Sequence, residues 1–172
     1  MSRPNETAFT AFSNTVYDMA GLGRLFDQIN LIERSLFKDK QGMISEKARD
    51  YLTGNIIAVF EEVEKVGLEP QDDQGQLKFL KDLMTYLQNL PVVKVTVAFE
   101  STHSYVMKLN NQISGYLGKK CILEMIIDED VIGGAIIEFN GKMSDQTLKI
   151  KLHDELVGLV EKSDAKIASG AA

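Results

Sequence analysis

The stretch that decides the fold of this chain, Ile126–Lys142, reads IIDEDVIGGAIIEFNGK. Two apolar runs suited to β-strands flank an acidic turn and a glycine pair, Gly133 and Gly134. Adjacent glycines at the start of a strand indicate a positive φ or a close backbone approach that a side chain would block. The dipeptide Asn140-Gly141 then predicts a hairpin, because both central positions of its two-residue turn need positive φ. The stretch therefore predicts a small sheet of enforced shape.

Before Pro91 the apolar residues repeat at helical spacing, which predicts a bundle of short amphipathic helices. Two stripes come first, with a bend expected at Gly21 and Gly23 between them. The first stripe contains Phe9, Phe12, Val16 and Ala20, and the second contains Leu22, Leu25, Phe26, Ile29, Ile32 and Leu36. A third helix is expected from an N-cap at Ser45 to about Val66, with Gly67 as its stop. A fourth follows the polar loop 69–75, with Leu77, Leu80, Leu83, Met84, Leu87 and Leu90 facing inward.

After Pro91 the apolar period becomes that of a strand, with Val93, Val95, Val97 and Phe99 on one side. A helix is expected from about Ser101 to a C-terminal cap at Gly118. Further strands are expected over 121–127, over 134–139 and from Met143. A last helix would bury Leu148, Leu152, Leu156 and Leu159. The predicted class is α+β: a helical bundle over residues 1–90, then a small C-terminal α/β domain over residues 91–172 with a mixed or antiparallel sheet.

Composition limits the possible functions. The 172 residues are 44% hydrophobic and 26% charged, with a net charge of −6, which is typical of a folded globular protein. No basic patch stands out, so a nucleic-acid partner is not expected. The single cysteine, Cys121, excludes an internal disulfide and fits a reducing compartment. No apolar run approaches 18 residues, so the chain is not expected to insert into a membrane itself.

Several ordered motifs resemble the delta subunit of F-type ATP synthases, the oligomycin-sensitivity-conferring protein family. Leu117-Gly118-Lys119-Lys120 precedes a strand, and the acidic turn at Asp128 leads to Ile132-Gly133-Gly134. The Asn140-Gly141 hairpin follows, and then Asp145-Gln146-Thr147-Leu148 opens a basic amphipathic segment. The resemblance covers roughly residues 92–158. The N-terminal segment 12–20 also looks like the opening helix of that family. The four helices expected before Pro91 are fewer than the six usual in it, which suggests a shortened bundle.

The resemblance implies a structural coupling role and no active site. In that family the N-terminal bundle binds N-terminal helices of alpha subunits on the catalytic head, and the C-terminal part binds the b subunits of the peripheral stalk. The complex lies at the cytoplasmic face of the bacterial cell membrane, where the stator resists rotor torque during proton-driven ATP synthesis. Phe9, Phe12, Val16 and Ala20 are the expected alpha-subunit contacts, although for each of them a place in the core is the better explanation. No cofactor or metal is expected.

Other functions remain open from the residues alone. Asp128, Glu129 and Asp130 could bind a hard cation, but a solvated turn explains them better. Cys121 with His103 or His153 could serve a small α+β enzyme or ligand-binding domain, although an inert buried thiol is the ordinary state. An E-type peripheral-stalk subunit of an archaeal or vacuolar ATPase would need one long N-terminal helix. A compact bundle would exclude that alternative.

Overall fold

The computed structural model describes residues 4–35 and 42–148, as helices followed by a β-α-β-β-β arrangement. The elements in these ranges are α1 (Pro4–Ser13), α2 (Met19–Ser35), α3 (Ile44–Lys47), α4 (Gly54–Lys65), α5 (Asp73–Gln88), β1 (Val92–Val97), α6 (His103–Leu117), β2 (Ile122–Ile127), β3 (Ala135–Phe139) and β4 (Lys142–Asp145). The predicted α+β class is confirmed. Of the last predicted helix, Leu152, Leu156 and Leu159 lie outside the described residues, and Leu148, which was expected to be buried, is 58% exposed. None of the described helices is both long and apolar enough to cross a membrane.

The chain divides into two compact units. The helical unit comprises Met1–Pro91 and Ser104–Ile122, and the strand unit comprises Val92–His103 and Leu123–Ala172. Helix α6 therefore groups with the N-terminal helices, although it follows β1 in the sequence. The division into domains at 1–90 and 91–172 stays a prediction.

The helical unit is built around one apolar core in which aromatic rings meet. The ring centroids of Phe12 and Phe60 are 4.6 Å apart, and those of Phe9 and Phe79 are 5.2 Å apart. Edge-on and tilted ring pairs of this kind stabilise a core beyond the area they bury. The same core takes in buried aliphatic side chains from α2, α4 and α5, among them Ile29, Ile32, Ile56, Leu80, Leu83 and Leu87. The helical spacing of the sequence thus placed most of this core correctly.

The bend expected at Gly21 and Gly23 was wrong. The chain bends earlier, over residues 14–18 between α1 and α2. Helix α1 ends at Ser13, and α2 begins at Met19 and continues through Gly21 and Gly23. The reason is a cap: Asp18 Oδ1 accepts a hydrogen bond of 2.7 Å from the backbone N–H of Gly21. A carboxylate that bonds the third helical N–H starts a helix, and this outweighs the low helix propensity of two glycines.

The single third helix expected from Ser45 to Val66 was wrong, because the segment forms two helices, α3 and α4. Ser45 lies inside α3 and does not cap it, since its hydroxyl donates to Glu64 Oε2 at 2.6 Å. The expected stop at Gly67 is confirmed. Its φ is +68°, and the N–H of Leu68 bonds back to the carbonyl of Val63 at 3.1 Å.

The strands form one sheet in the order β2-β1-β3-β4. β1 and β3 are antiparallel, with Val95 opposite Ile137, and β3 and β4 are also antiparallel. β2 is parallel to β1, since the N–H groups of Ile122 and Asp128 bond the carbonyls of Pro91 and Val97 in constant register. The sheet is therefore mixed. Val93, Val95 and Val97 are buried as their alternation predicts, whereas Phe99 lies past the strand and is 60% exposed.

Candidate partner-binding site

The stripe expected to contact an alpha subunit lies mostly inside the helical core. Phe9, Phe12 and Val16 are 6%, 0% and 3% exposed, and only Ala20 is open to solvent. A side chain buried among its own neighbours is not available to a docked helix, so three of the four residues serve packing in this structure. Their contact with an alpha subunit stays a prediction.

A groove does lie on the outer side of α1, next to α5. It has a volume of about 510 Å³ and is lined by Glu6, Thr7, Thr10, Ala11, Asn14 and Tyr86. Tyr86 connects this groove to the core, because its ring centroid is 5.6 Å from that of Phe9. The buried aromatic side chains thus support the groove from beneath.

The glycine pair of the strand unit is required by its own backbone. Gly134 has a φ of +77°, and a Cβ placed on it would lie 2.2 Å from the carbonyl oxygen of Gln146. Gly133 has a φ of +62°, and its Cβ would lie 2.6 Å from Leu148 Cδ1. At Gly134 the positive φ and the approach of backbone together disfavour any side chain, whereas at Gly133 the positive φ favours glycine and the exposed Leu148 side chain could move aside. The N–H of Leu148 also bonds the carbonyls of Ile132 and Gly133, at 3.1 and 3.2 Å, so the segment before β3 is tied to the segment after β4.

The turns around this pair follow the expectations from the sequence. Asn140 and Gly141 have φ values of +50° and +72°, as the two-residue hairpin requires. Asp128 Oδ1 accepts from the N–H of Asp130 at 3.0 Å, which closes the acidic turn. Asp145 Oδ1 accepts from the N–H of Thr147 at 2.9 Å. These side chains shape the backbone, and their further role as a binding motif stays a prediction.

Buried charged groups in the helical unit escaped the sequence analysis. Lys47 is 1% exposed, and its ammonium binds Asp73 Oδ1 and, at 2.8 Å, Gln76 Oε1. Gln76 in turn donates to the carbonyl of Gly42 at 3.1 Å. Lysine on a short helix looks like an exposed residue in a sequence, so no pattern signals this burial. The network ties α3 to α5.

A second buried acid, Glu69, joins α3 to the segment after α4. Its Oε1 accepts from the N–H of Ile44 at 2.9 Å, while Oε2 is buried with no donor facing it. Burial and the neighbouring Glu64 carboxylate raise the pKa of Glu69 to about 8, against the opposing effect of the Ile44 hydrogen bond. A proton on Glu69 lets the acid donate to Glu64 and removes the charge repulsion between them. Glu64 itself binds Ser45, whose backbone N–H and hydroxyl donate to its two carboxylate oxygens at 2.8 and 2.6 Å.

Asn110 is the centre of a third cluster. Its side chain is fully buried, and its amide nitrogen donates to the carbonyls of Tyr17 and Cys121, each at 2.8 Å. Its amide oxygen accepts from Lys120 Nζ at 2.8 Å, and that ammonium lies 4.6 Å from the centre of the Tyr17 ring. Asn110 lies one helical turn after the buried Val106, on the same face of α6. A polar residue on an otherwise buried helix face is the sequence signal for this cluster.

A shallow groove of about 420 Å³ lies over this cluster, at the C-terminal end of α6. Its lining residues are Asn14, Tyr17, Asn111, Ser114, Gly115, Gly118, Lys119 and Lys120. Gly118 has a φ of +66° and caps α6, as the sequence predicted. Tyr116, in the last turn of α6, is 92% exposed.

The candidate catalytic and metal-binding groups do not converge in the described ranges. Cys121 is fully buried, its thiol lies 3.3 Å from Ser114 Oγ, and burial raises the pKa of that thiol. His103 lies at the exposed start of α6, and His153 lies outside the described residues. Asp128, Glu129 and Asp130 are exposed. Within residues 4–35 and 42–148, no group of three or more histidine, cysteine, aspartate or glutamate side chains could hold a metal ion.

Known proteins similar to this chain are ATP synthase delta subunits. The subunit from Heliobacterium modesticaldum is 25% identical over 142 residues, which cover 77% of this chain and 76% of that protein. The subunit from Thermosipho africanus is 36% identical over 63 residues, covering 37% of this chain and 34% of that protein. The subunit from Mesorhizobium japonicum is 24% identical over 110 residues, covering 64% and 57%.

A family model described as ATP synthase delta (OSCP) subunit matches residues 74–155. The match runs from α5 through the sheet and takes in the Leu117–Lys120 cap, the glycine pair and the Asn140-Gly141 hairpin. The motifs between residues 117 and 148 that suggested this family thus lie in the matched segment, whereas the N-terminal segment 12–20 lies outside it. Residues 74–155 of this chain are thus similar to the ATP synthase delta (OSCP) subunit family.

Proposed function

We propose that this chain is a peripheral-stalk subunit of an F-type ATP synthase that links the alpha subunits of the catalytic head to the membrane-anchored b subunits. In this role it resists rotor torque while proton flow drives ATP synthesis, and it performs no catalysis of its own. The observation that carries the proposal is the match of residues 74–155 to the delta subunit family. The subunit would be peripheral, at the cytoplasmic face of the bacterial cell membrane.

The head contact is proposed for the helical unit, at the groove between α1 and α5. An N-terminal helix of an alpha subunit would lie along α1 over Thr7, Thr10 and Asn14, with Tyr86 at the side of the groove. Helix-in-groove docking needs a rigid floor, and here the rings of Phe9 and Phe79 provide it. Of the four residues expected from the sequence, Phe9, Phe12 and Val16 would then act from beneath the surface.

The stalk contact is proposed for the strand unit, which carries the family motifs around Gly133 and Gly134. Ile132, Met143 and Leu148 are each more than half exposed there. Exposed apolar side chains next to a rigid backbone junction are suited to pack against a partner helix. This is the proposed place of the b subunits.

Two other functions are less well supported. An E-type stalk subunit needs one continuous N-terminal helix, whereas the residues between Pro4 and Gln88 that the structure describes form separate helices on a shared core. An enzyme built on Cys121 would need an accessible thiol, and this thiol is buried with a raised pKa. A bundle followed by a small sheet favours the stator.

A pull-down tests the proposal. The tagged chain should retain both alpha and b subunits of the ATP synthase of its own organism, with folding checked by circular dichroism. Two matched variants locate the head contact: Thr10 and Thr85 are both exposed and both donate to a carbonyl one turn back, at 2.7 and 2.9 Å, but only Thr10 lines the groove. T10R should lose alpha and keep b, and T85R should keep both.

The outcomes separate two claims. A folded native chain that retains neither alpha nor b would contradict the stator role. A T10R variant that still retains alpha would contradict the place of the contact on α1 and α5, and leave the stator role standing.

A further inference from the structure

We infer that the groove at the end of α6 is a docking site for an acidic segment of a partner polypeptide, with Gly115 and Gly118 as its floor and Lys119 as its charged side. This site is distinct from the groove between α1 and α5, and the inference does not depend on the proposed function. It is carried by a glycine that lines the groove with open space above it and by two lysines that are in neither of the ion pairs observed between the described residues.

Gly115 has no structural reason to be glycine. It lies in the last turn of α6 with an ordinary helical conformation, and a Cβ placed on it would meet nothing within 4 Å. Glycine within a helix is less favourable than a straight-chain residue by roughly 0.5–1 kcal/mol. Gly118 differs, because its positive φ is needed to end the helix. Gly23 in α2 is equally open, so open space alone does not indicate a ligand; Gly115 differs because it lines a groove beside Lys119.

Close approach by another chain explains that glycine. A floor without side chains lets a foreign backbone come within van der Waals contact of α6, as small residues do between packed helices. Asn14 and Asn111 line the same groove and can bond the peptide groups of an incoming segment. Tyr116, which follows Gly115 in the sequence, is 92% exposed and adds an aromatic surface.

The charge of the groove decides the kind of segment. Lys119 is exposed, and Lys120 is held by Asn110 and the Tyr17 ring. Neither lysine is among the ion pairs observed between the described residues. Burial lowers the pKa of Lys120, and no carboxylate opposes that shift. A carboxylate brought in by a partner would stabilise both ammonium groups, which favours an acidic segment over a neutral or basic one.

The test uses the full chain and a synthetic hexaglutamate peptide, observed through the backbone amide signals of Gly115, Gly118, Lys119 and Lys120. These signals should shift in a saturable way that weakens with added salt. Hexalysine serves as the charge control and inorganic phosphate as the free-anion control, and neither should shift them saturably. Sedimentation of the chain alone tests for a second copy as the occupant.

Two pairs of variants make the test specific. Gly115→Gln and Gly23→Gln both place a good helix former at an exposed helical position with open space, so both should raise the melting temperature by about 2–4 °C. Only Gly115→Gln should weaken the peptide, by tenfold or more. Lys119→Gln should weaken it by threefold or more, whereas Lys108→Gln, at another exposed position of α6, should not.

Each contrary outcome overturns the inference. Equal shifts with phosphate would make the groove a site for free anions. Dimers that dissociate in Lys119→Gln would make it a contact between copies of this chain. A Gly115→Gln variant that is more stable and still binds hexaglutamate fully would show that the glycine floor takes no part.

Discussion

The helical unit and the strand unit are held together by different means. In the helical unit, side chains do the work: a shared aromatic and aliphatic core is supplemented by buried polar groups such as Lys47 and Glu69. In the strand unit, the backbone sets the shape, through positive φ at Gly133, Gly134 and Gly141 and through strand register. We therefore expect one methyl group added at Gly134 to lower the free energy of unfolding more than the removal of one buried charge from the helical unit does.

Gly134→Ala tests the strand unit and should have the largest effect. The new methyl group would meet the Gln146 carbonyl at a position where φ is +77°, so the backbone must move. We expect a loss of about 4 kcal/mol in the free energy of unfolding, measured by urea denaturation together with hydrogen exchange of β3. Gly141→Ala is the matched control: its φ is +72° but the space is open, so a loss of only about 1 kcal/mol is expected. Equal losses would show that close approach contributes nothing.

Glu69→Gln tests the buried acid of the helical unit through pH. Because the folded-state pKa is about 8 against an ordinary 4.5, the folded protein binds more protons than the unfolded chain between these values. The stability of the native chain should therefore fall as pH rises through that window. Glutamine mimics the protonated acid, so the variant should match the native chain at pH 5 and exceed it by on the order of 3 kcal/mol at pH 9.

Urea unfolding at pH 5, 7 and 9 measures this difference. The groups that face Glu69 are Glu64, whose charge raises its pKa, and Lys47, whose charge lowers it. Both residues belong to the helical unit. Glu69→Gln should therefore change the hydrogen exchange of α3 far more than the hydrogen exchange of the strand unit. A stability difference that does not vary with pH would contradict the raised pKa.

Lys47→Met tests the buried ammonium and should have a smaller effect. The variant keeps the apolar stem but leaves Gln76 Oε1 without its donor, while Asp73 is 56% exposed and can hydrate. A loss of about 2 kcal/mol is expected in urea unfolding, since an unsatisfied buried acceptor typically costs about 1–3 kcal/mol. The exposed pair Arg49–Glu61, 3.9 Å apart, supplies the control, and Arg49→Met should change stability by less than about 0.5 kcal/mol. Similar losses would mean that the burial of Lys47 is not significant.

Local chemistry explains which features could be predicted. The strand alternation at Val93, Val95 and Val97, the Asn140-Gly141 hairpin and the caps at Gly67 and Gly118 each depend on a few adjacent residues, and all were correct. The bend between α1 and α2 was misplaced because the hydrogen bond from Gly21 to Asp18 outweighed the propensity of two glycines. The N-cap expected at Ser45 was wrong because Ser45 bonds Glu64, a residue 19 positions away, and the expected single helix is divided at residues 48–53.

The sequence by itself determined the α+β class, the resemblance to the delta subunit family and the need for the glycine pair Gly133 and Gly134. Periodicity and backbone conformation are local properties, so a few adjacent residues were enough. Only the tertiary structure decided which polar groups are buried. It placed Lys47, Glu69 and Asn110 among distant partners, and it put Phe9, Phe12 and Val16 in the core and not on a docking face. It also separated two kinds of glycine: Gly134, closed in by the Gln146 carbonyl, and Gly115, open to the groove. The burial of a side chain and the space around a glycine depend on residues far apart in the chain, so no local sequence pattern predicts them.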